Sequence, residues 1–435
     1  MIKLQEHTSS PSAAPESSTP RVLMSAYQCG PGMGSVSQIG WEWYSRMSAR
    51  VPVTLVTHIR NRTVLEAAGA PLHGSQIVYI DTEWFAGPVY RLAVRLFPKS
   101  EHAVFILSLT DFYVYDYEAR KTLRKLQKQG ENWDIVHCVT PVSPIASTRL
   151  YGLGLPLIVG PWNGGLESPA NFPEIMQQDS GWFYPVRNIG KLVDFILGGS
   201  RHASVILSAT AATLRSIPVA SRKHAVSMIE NGVDLKRYEA TDWEYTPGTE
   251  GPLRILFVGR LIPCKGIPML LEAIRRVQSE LRIELRVVGD GPMREEWSNQ
   301  STAMGLSGCV TFCGPAPLAE IPARMSWSHV FCLPSVRESG GAVLLEAMAA
   351  ARPVIAIAYG GPAELVEDTV GKGIAPTGKE FVINALVEAF RDVIRQPDEW
   401  RRRGQQGRKN AEALYDWDAK IGQALKIYSQ VGKSK

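Results

Sequence analysis

Short runs of Val, Ile and Leu alternate along the chain with longer segments whose apolar residues recur at helical spacing. This is the pattern of parallel sheets covered by helices, because a strand buried on both faces needs no polar side. In the first half the apolar runs are RVLMSAY, VPVTLVT, QIVYI, DIVHCV, PLIVG and VILSAT; in the second they are LRILFVG, IELRVVG, VTFCG, HVFCLP and PVIAIA. Between the halves, YEATDWEYTPGTEGP is polar and rich in turn formers, which marks a linker before Leu253. A chain of 435 residues exceeds what one core usually supports, so each half is expected to be its own α/β domain. Each half opens alike, with an apolar strand running into a glycine loop, VLMSAYQCGPGMGS and ILFVGRLIPCKG. Ligands of such sheets sit beyond the carboxyl ends of the strands, so two of them face to face would enclose a cleft.

Composition narrows the function classes. With 45% hydrophobic and 20% charged residues, the chain has the make-up of a soluble globular protein. The net charge of +5 is too small and too dispersed for a nucleic-acid partner. Six cysteines (Cys29, Cys138, Cys264, Cys309, Cys313, Cys332) stand in apolar contexts without paired CxxC sets, as reduced core residues of a cytosolic protein do. Residues 1–20 are rich in Ser and Pro with no signal-like apolar run, and are expected to be a disordered tail. The longest apolar stretch, HAVFILSLTDFYVYDY, is broken by Asp111 and too short to span a bilayer. The expected location is therefore cytoplasmic. The segment YEARKTLRKLQKQ aligns Lys121, Arg124, Lys125 and Lys128 on one helical face. That face is either simply solvated or a peripheral contact with an anionic membrane surface or lipid-linked acceptor.

Three strand-end loops carry candidate chemistry. CGPGMGS places Gly32 and Gly34 ahead of a helix, a setting that suits phosphate or is merely a tight turn. The spacing is not that of a dinucleotide fingerprint, and VTHIRNR lacks the acidic residue that would hold a ribose. FVGRLIPCKG puts Gly259, Arg260 and Lys265 just past a buried strand, where two cations would neutralise a diphosphate unless they are solvated. CLPSVRESGG leads through Glu338, Ser339, Gly340 and Gly341 into the helix AVLLEAMAAA, whose positive end points at the cleft. Within that helix Glu346 is the one charged residue, and it needs either a ligand's hydroxyls or a basic neighbour such as Arg337 or Arg352. His137, in DIVHCV, stands at another strand end. No Asp-x-Asp pair occupies such a loop, so no metal is expected.

These loops together resemble the retaining nucleotide-sugar glycosyltransferases of family 4. Glu338 and Glu346 match the family's two glutamates separated by seven residues, VGRLIPCKG its Arg and Lys loop, IENGVDLKRY its Asn-Gly-Val-Asp segment and VVGDGPMREE its Gly-Asp-Gly-Pro turn. AYQCGPGMGSVSQIGWEW and GPWNGGLESP are further similar to a subgroup found in exopolysaccharide and cell-surface glycan assembly, with Gly30 and Val36 standing where that subgroup has glutamates. The resemblance implies a GT-B fold, two Rossmann-like doubly wound domains facing across a cleft. It implies an acceptor-side domain over 21–240, a nucleotide-sugar domain over 253–413 and a terminal helix over 414–435 that crosses back. It implies a UDP- or GDP-sugar donor and a glycan or lipid-linked acceptor. Arg260 and Lys265 would hold the diphosphate, Glu338 the sugar, and Glu346 the ribose. Gly32, Gly34, Gly259, Ser339, Gly340 and Gly341 would line the donor, and Trp162, Asn163, Gly164 and Gly165 the acceptor side. His137 matches the first position of the family's His-x-His and would be catalytic beside Arg260, Lys265 and Glu338, while Val139 stands at the second. An epimerase of the same fold, or a catalytically silent donor-binding subunit, are the alternatives.

Overall fold

The computed structural model describes residues 19–96, 101–167, 169–178 and 186–432, so the expected tail lies outside it up to residue 18. In the first half, β1 (Val22–Ala26), β2 (Val53–His58), β3 (Gln76–Ile80), β4 (Ile135–Thr140), β5 (Leu157–Trp162), β6 (Val205–Ser208) and β7 (Ala225–Ser227) form one sheet. Its order is β3-β2-β1-β4-β5-β6-β7 and its pairings are parallel. In the second half, β8 (Leu253–Val258), β9 (Ile283–Val288), β10 (Val310–Gly314), β11 (Val330–Leu333), β12 (Val354–Ile357) and β13 (Gly371–Ile374) form another, in the order β10-β9-β8-β11-β12-β13. It too is parallel. The central strands are buried throughout: every residue of VLMSA in β1 and of VFCL in β11 is buried. That burial on both faces is why the apolar runs are continuous. The strands β7 and β13 were not among the expected runs. Both are sheet edges, reading AVS and GKGI, and half-open edges need no unbroken apolar run.

In each sheet the order reverses beside the first strand of that half, between β1 and β4 and between β8 and β11. At such switch points the loops leave on opposite sides and open a crevice at the carboxyl ends. The loops over 259–266 and 334–341 flank the crevice of the second sheet.

The linker expectation needs correction. Val233, Tyr238 and Trp243 belong to the core of the second domain, so that core begins well before Leu253. Aromatic residues within an otherwise polar stretch anchor it: Trp243 meets the His329 ring edge-on and Tyr245 bonds the Pro252 carbonyl at 2.8 Å.

The chain crosses between the domains a second time near its end. The helix Trp417–Gly432 packs beside the helix Ser35–Ser48 and buries Trp417, Ile421, Ala424 and Tyr428 in the core of the first domain. Burying each large side chain there stabilises the docking by about 2 kcal/mol. Leu414, just ahead of this helix, stays exposed, while Tyr428 near its end is buried. Arg46 ties this arrangement to the surface by ion pairs with Glu42 at 2.9 Å, Asp234 at 3.4 Å and Asp418 at 3.5 Å. The two crossings run side by side. Val233 N donates to the Tyr415 carbonyl at 2.9 Å, Trp417 N donates back to Val233 at 3.2 Å, and the Trp417 ring lies against Gly232.

Candidate functional site

The wall of the second domain is built from three loops that brace one another. After β8, GRLIPCKG turns at Gly266, and Val336 N donates to the Cys264 carbonyl at 2.9 Å, joining this loop to the one after β11. From the other side, the Gly-Asp-Gly-Pro turn supports it: Leu261 N donates to Asp290 O at 2.8 Å and Met293 N to Leu261 O at 3.1 Å. Gly289, with φ 138°, lies so close that a Cβ would stand 1.9 Å from the Gly259 carbonyl. Only glycine admits that approach.

The braced loops bring Lys265 to Glu338. The two form an ion pair whose side chains keep 15% and 16% exposure, so the charges meet where a ligand can still reach them. Arg260 is exposed on the same loop, beyond Gly259. The backbone of Glu338 is fixed by Gly361 N, which donates to its carbonyl at 2.9 Å, and by a bridge to Gly360. Ser339, Gly340 and Gly341 then lead into the helix Ala342–Ala349, Gly341 taking the left-handed conformation at φ 66°.

Glu346 is partly exposed by its side chain, yet its carboxylate is surrounded by protein. Desolvation pushes it up to about 7, against the hydroxyl of Tyr238, which donates to it, and the charge of Arg237. Arg352 is not its partner. That guanidinium is buried and caps the helix Ile321–Trp327, donating to the carbonyls of Met325 and Ser326 at 3.0 Å each and to Thr241 Oγ1 at 2.5 Å. Sequence reasoning missed Tyr238, although it closes the quoted segment IENGVDLKRY.

The wall of the first domain is different. Gly32 and Gly34 are exposed beyond β1 with φ of 74° and 108°, and a Cβ at either would meet nothing within 4 Å. Trp162 ends β5 as a core residue, only 2% exposed, and together with Gly164 and Gly165 it lines a recess of about 120 Å³. Asn163 bonds Glu230 at 2.5 Å. A second recess of about 350 Å³ lies between the two walls, lined by Gly165, Leu166, Arg215, Tyr359, Gly360 and Glu364. Contacts bridge it: Ala211 N donates to Glu364 Oε1 at 2.9 Å and the Tyr359 hydroxyl to the Glu167 carbonyl at 2.8 Å.

His137 does not join the site. It has no exposed surface, and the Gly160 carbonyl at 2.7 Å fixes the proton on Nε2, leaving Nδ1 to accept from the Tyr428 hydroxyl at 2.6 Å. Burial lowers its ionisation to about 4, so the ring is neutral. The expectation of a catalytic His137 is corrected to a structural one: it is the socket for the terminal helix.

Among the described residues no cluster of three or more His, Cys, Asp or Glu is arranged for a metal ion. No helix among them is long and apolar enough to cross a membrane. Lys121 and Lys128 are exposed, and Arg124 bonds the Gly152 carbonyl at 2.9 Å.

Residues 244–410 match the family model described as glycosyl transferases group 1. The 2-deoxystreptamine glucosyltransferase of Streptomyces kanamyceticus is 33% identical over 175 residues, 38% of this chain and 44% of that protein. The phosphatidyl-myo-inositol mannosyltransferase of Mycobacterium leprae is 33% identical over 187 residues, 41% of this chain and 47% of that protein. The chain thus spans less than half the length of these relatives. Among solved structures, Anabaena Alr3699/HepE in complex with UDP superposes with a TM-score of 0.62 at 18% identity, covering 94% of this chain and 100% of that one. The lipopolysaccharide outer core galactosyltransferase WaaB in its apo form gives 0.62 at 16% identity, covering 94% and 99%. Two parallel Rossmann-like sheets facing across a crevice are the GT-B fold. The second domain, over residues 244–410, is thus similar to the group 1 glycosyl transferases.

Proposed function

We propose that the protein is a retaining glycosyltransferase that moves a sugar from a UDP- or GDP-sugar to a hydroxyl of a glycan or lipid-linked acceptor. The observation that carries this reading is the Lys265–Glu338 pair, half-open at the switch point of the second sheet and followed by Gly340, Gly341 and Glu346. In the protein alone, cation and carboxylate neutralise each other. A nucleotide sugar offers each a better partner, the diphosphate for Lys265 and Arg260 and a sugar hydroxyl for Glu338. Glu346 would accept from the ribose hydroxyls, adding donors to the one it has from Tyr238.

In the transfer, the bond between the anomeric carbon and the diphosphate oxygen breaks, and the acceptor oxygen bonds to the same face. The acceptor's proton passes to the departing phosphate oxygen, so the first wall need not supply a base. Lys265 and Arg260 stabilise the charge growing on that phosphate. No metal is required for this, because both cations belong to the chain. The protein would work in the cytoplasm, with the exposed lysines of the 101–128 helix available to a membrane surface.

Support comes from the neighbour solved with UDP and from the family match of the donor-side domain. The test is a melting-temperature panel of UDP, GDP, ADP and their sugars, since a ligand of the folded state raises the midpoint by mass action. It is paired with donor hydrolysis and transfer by the wild type. A UDP or GDP series that stabilises and turns over supports the reading. Binding that persists without turnover on any acceptor makes the protein a donor-binding subunit instead.

A further inference from the structure

Glu230 is a carboxylate that the transfer, as described, leaves unused. It stands where the chain first crosses between the domains and is 3% exposed. Its Oε1 accepts from Asn163 Nδ2, in the loop after β5, at 2.5 Å and from Asn231 Nδ2 at 2.9 Å. Against the same oxygen lies Gly340 of the donor-side loop. A Cβ added there would stand 1.8 Å from Glu230 Oε1 and 2.7 Å from Asn231 Nδ2. Gly340 has no positive φ, so it is room that demands glycine here and not backbone conformation. Behind Glu230, Lys420 of the terminal helix donates to the carbonyls on either side of it, Ile229 and, at 2.7 Å, Asn231. Glu230 Oε2 is buried and has no hydrogen-bond partner.

An uncompensated buried carboxylate oxygen costs stability, and an apolar residue would fill the same space without it. What the carboxylate adds is a rigid link between the two walls. We propose that Glu230 is a positioning residue for the transfer, holding the donor-side loop at Gly340 in register with the acceptor-side loop at Asn163. This rests on the glycosyltransferase reading above.

The charged groups that face Glu230 are Lys420 and Glu338. Burial and the charge of Glu338 raise its ionisation, while Asn163 and Lys420 lower it, and Lys420 is itself brought down by burial to about 7. Protonating Glu230 weakens the acceptor character that binds the two asparagines. The link therefore loosens as the pH falls through the ionisation of the pair.

The experiment uses the full chain with UDP- and GDP-sugars as donors. Glu230→Gln keeps an oxygen for Asn163 and Asn231 but removes the charge. We expect kcat to fall about tenfold or more, as misplacement of reacting groups does. The donor KM should stay within about twofold of wild type, because the diphosphate contacts are untouched. The pH profile of kcat should lose the limb that belongs to the Glu230–Lys420 pair. A second variant, Gly340→Ala, should lower the melting temperature and kcat, and Glu230→Ser in that background should restore the melting temperature by clearing the space but not kcat. An active wild type with Glu230→Gln unchanged in kcat and pH profile overturns the role of Glu230 alone. So does a Gly340→Ala variant as active as wild type. A wild type that neither binds nor turns over any donor overturns the glycosyltransferase reading and this role with it.

Discussion

The two walls of the cleft treat their polar residues in opposite ways. At the strand ends of the first domain, the groups satisfy one another: Asp111 accepts from the Tyr27 hydroxyl and from Thr82 Oγ1, at 2.6 Å each, and Thr82 bonds His58 at 2.8 Å. His137 is consumed in the same fashion by Gly160 and Tyr428. In the second domain Lys265, Glu338 and Glu346 are brought to partly exposed positions around two glycines. Closed networks hold structure, while charges braced by backbone at an open switch point are preorganised for a ligand.

The sharpest way to break this contrast is to remove one charge from each wall. Lys265→Ala should lower turnover by at least about a hundredfold, the scale of losing one preorganised charge at a reacting phosphate. His137→Phe should leave turnover per folded molecule unchanged and destabilise the fold by about 2 kcal/mol, since it strands the Tyr428 hydroxyl and the Gly160 carbonyl. Its melting curves carry a second signature. The folded ionisation of His137 lies below its unfolded value of 6.5, so its contribution is present above pH 6.5 and is lost as the pH falls towards 4. The variant should lack that loss.

Glu346 tests the donor side with a smaller effect of opposite sign. Its folded ionisation, about 7, lies above the unfolded 4.5, so its charge costs stability progressively as the pH rises from 4.5 to 7. Ribose hydroxyls favour the charged form, and nucleotide affinity should therefore fall by up to about tenfold per unit below pH 7. Calorimetric titration of wild type and Glu346→Gln with the stabilising nucleotide checks this: the variant should remove that part of the pH dependence which the nucleotide's own phosphate does not explain. Smallest of all, Lys128→Ala should change stability by less than about 0.5 kcal/mol, as exposed positions do, and any larger effect on activity with vesicle-bound acceptor would give the basic face a function.

What the sequence made legible follows the same divide. The cation loop and the two glutamates are local patterns, each written within ten or so neighbouring residues, and the parallel sheets bring them together by topology alone. The role of His137 was hidden because its partner, Tyr428, is 291 positions away. The partner of Glu346 was hidden in the same manner, with Tyr238 arriving from the segment before β8. Glu230 drew no notice in IENGVD because nothing nearby in the chain announces Asn163, Gly340 or Lys420. The edge strands β7 and β13 escaped for a different reason: half-solvated, they carry too little apolar sequence to stand out.

The paired crossings at Val233 and at Tyr415 to Trp417 have a mechanical consequence. A door hung on a single cord can spin as well as swing, but one hung on two cords knotted together keeps a single axis. With the terminal helix plugged into the first domain by Tyr428 and Lys420, any tilt of the second domain towards the first would have to turn about that line. Each approach would then deliver Gly340 to the same place, and a chain cut before Trp417 would lose that fidelity together with part of the core of the opposite domain.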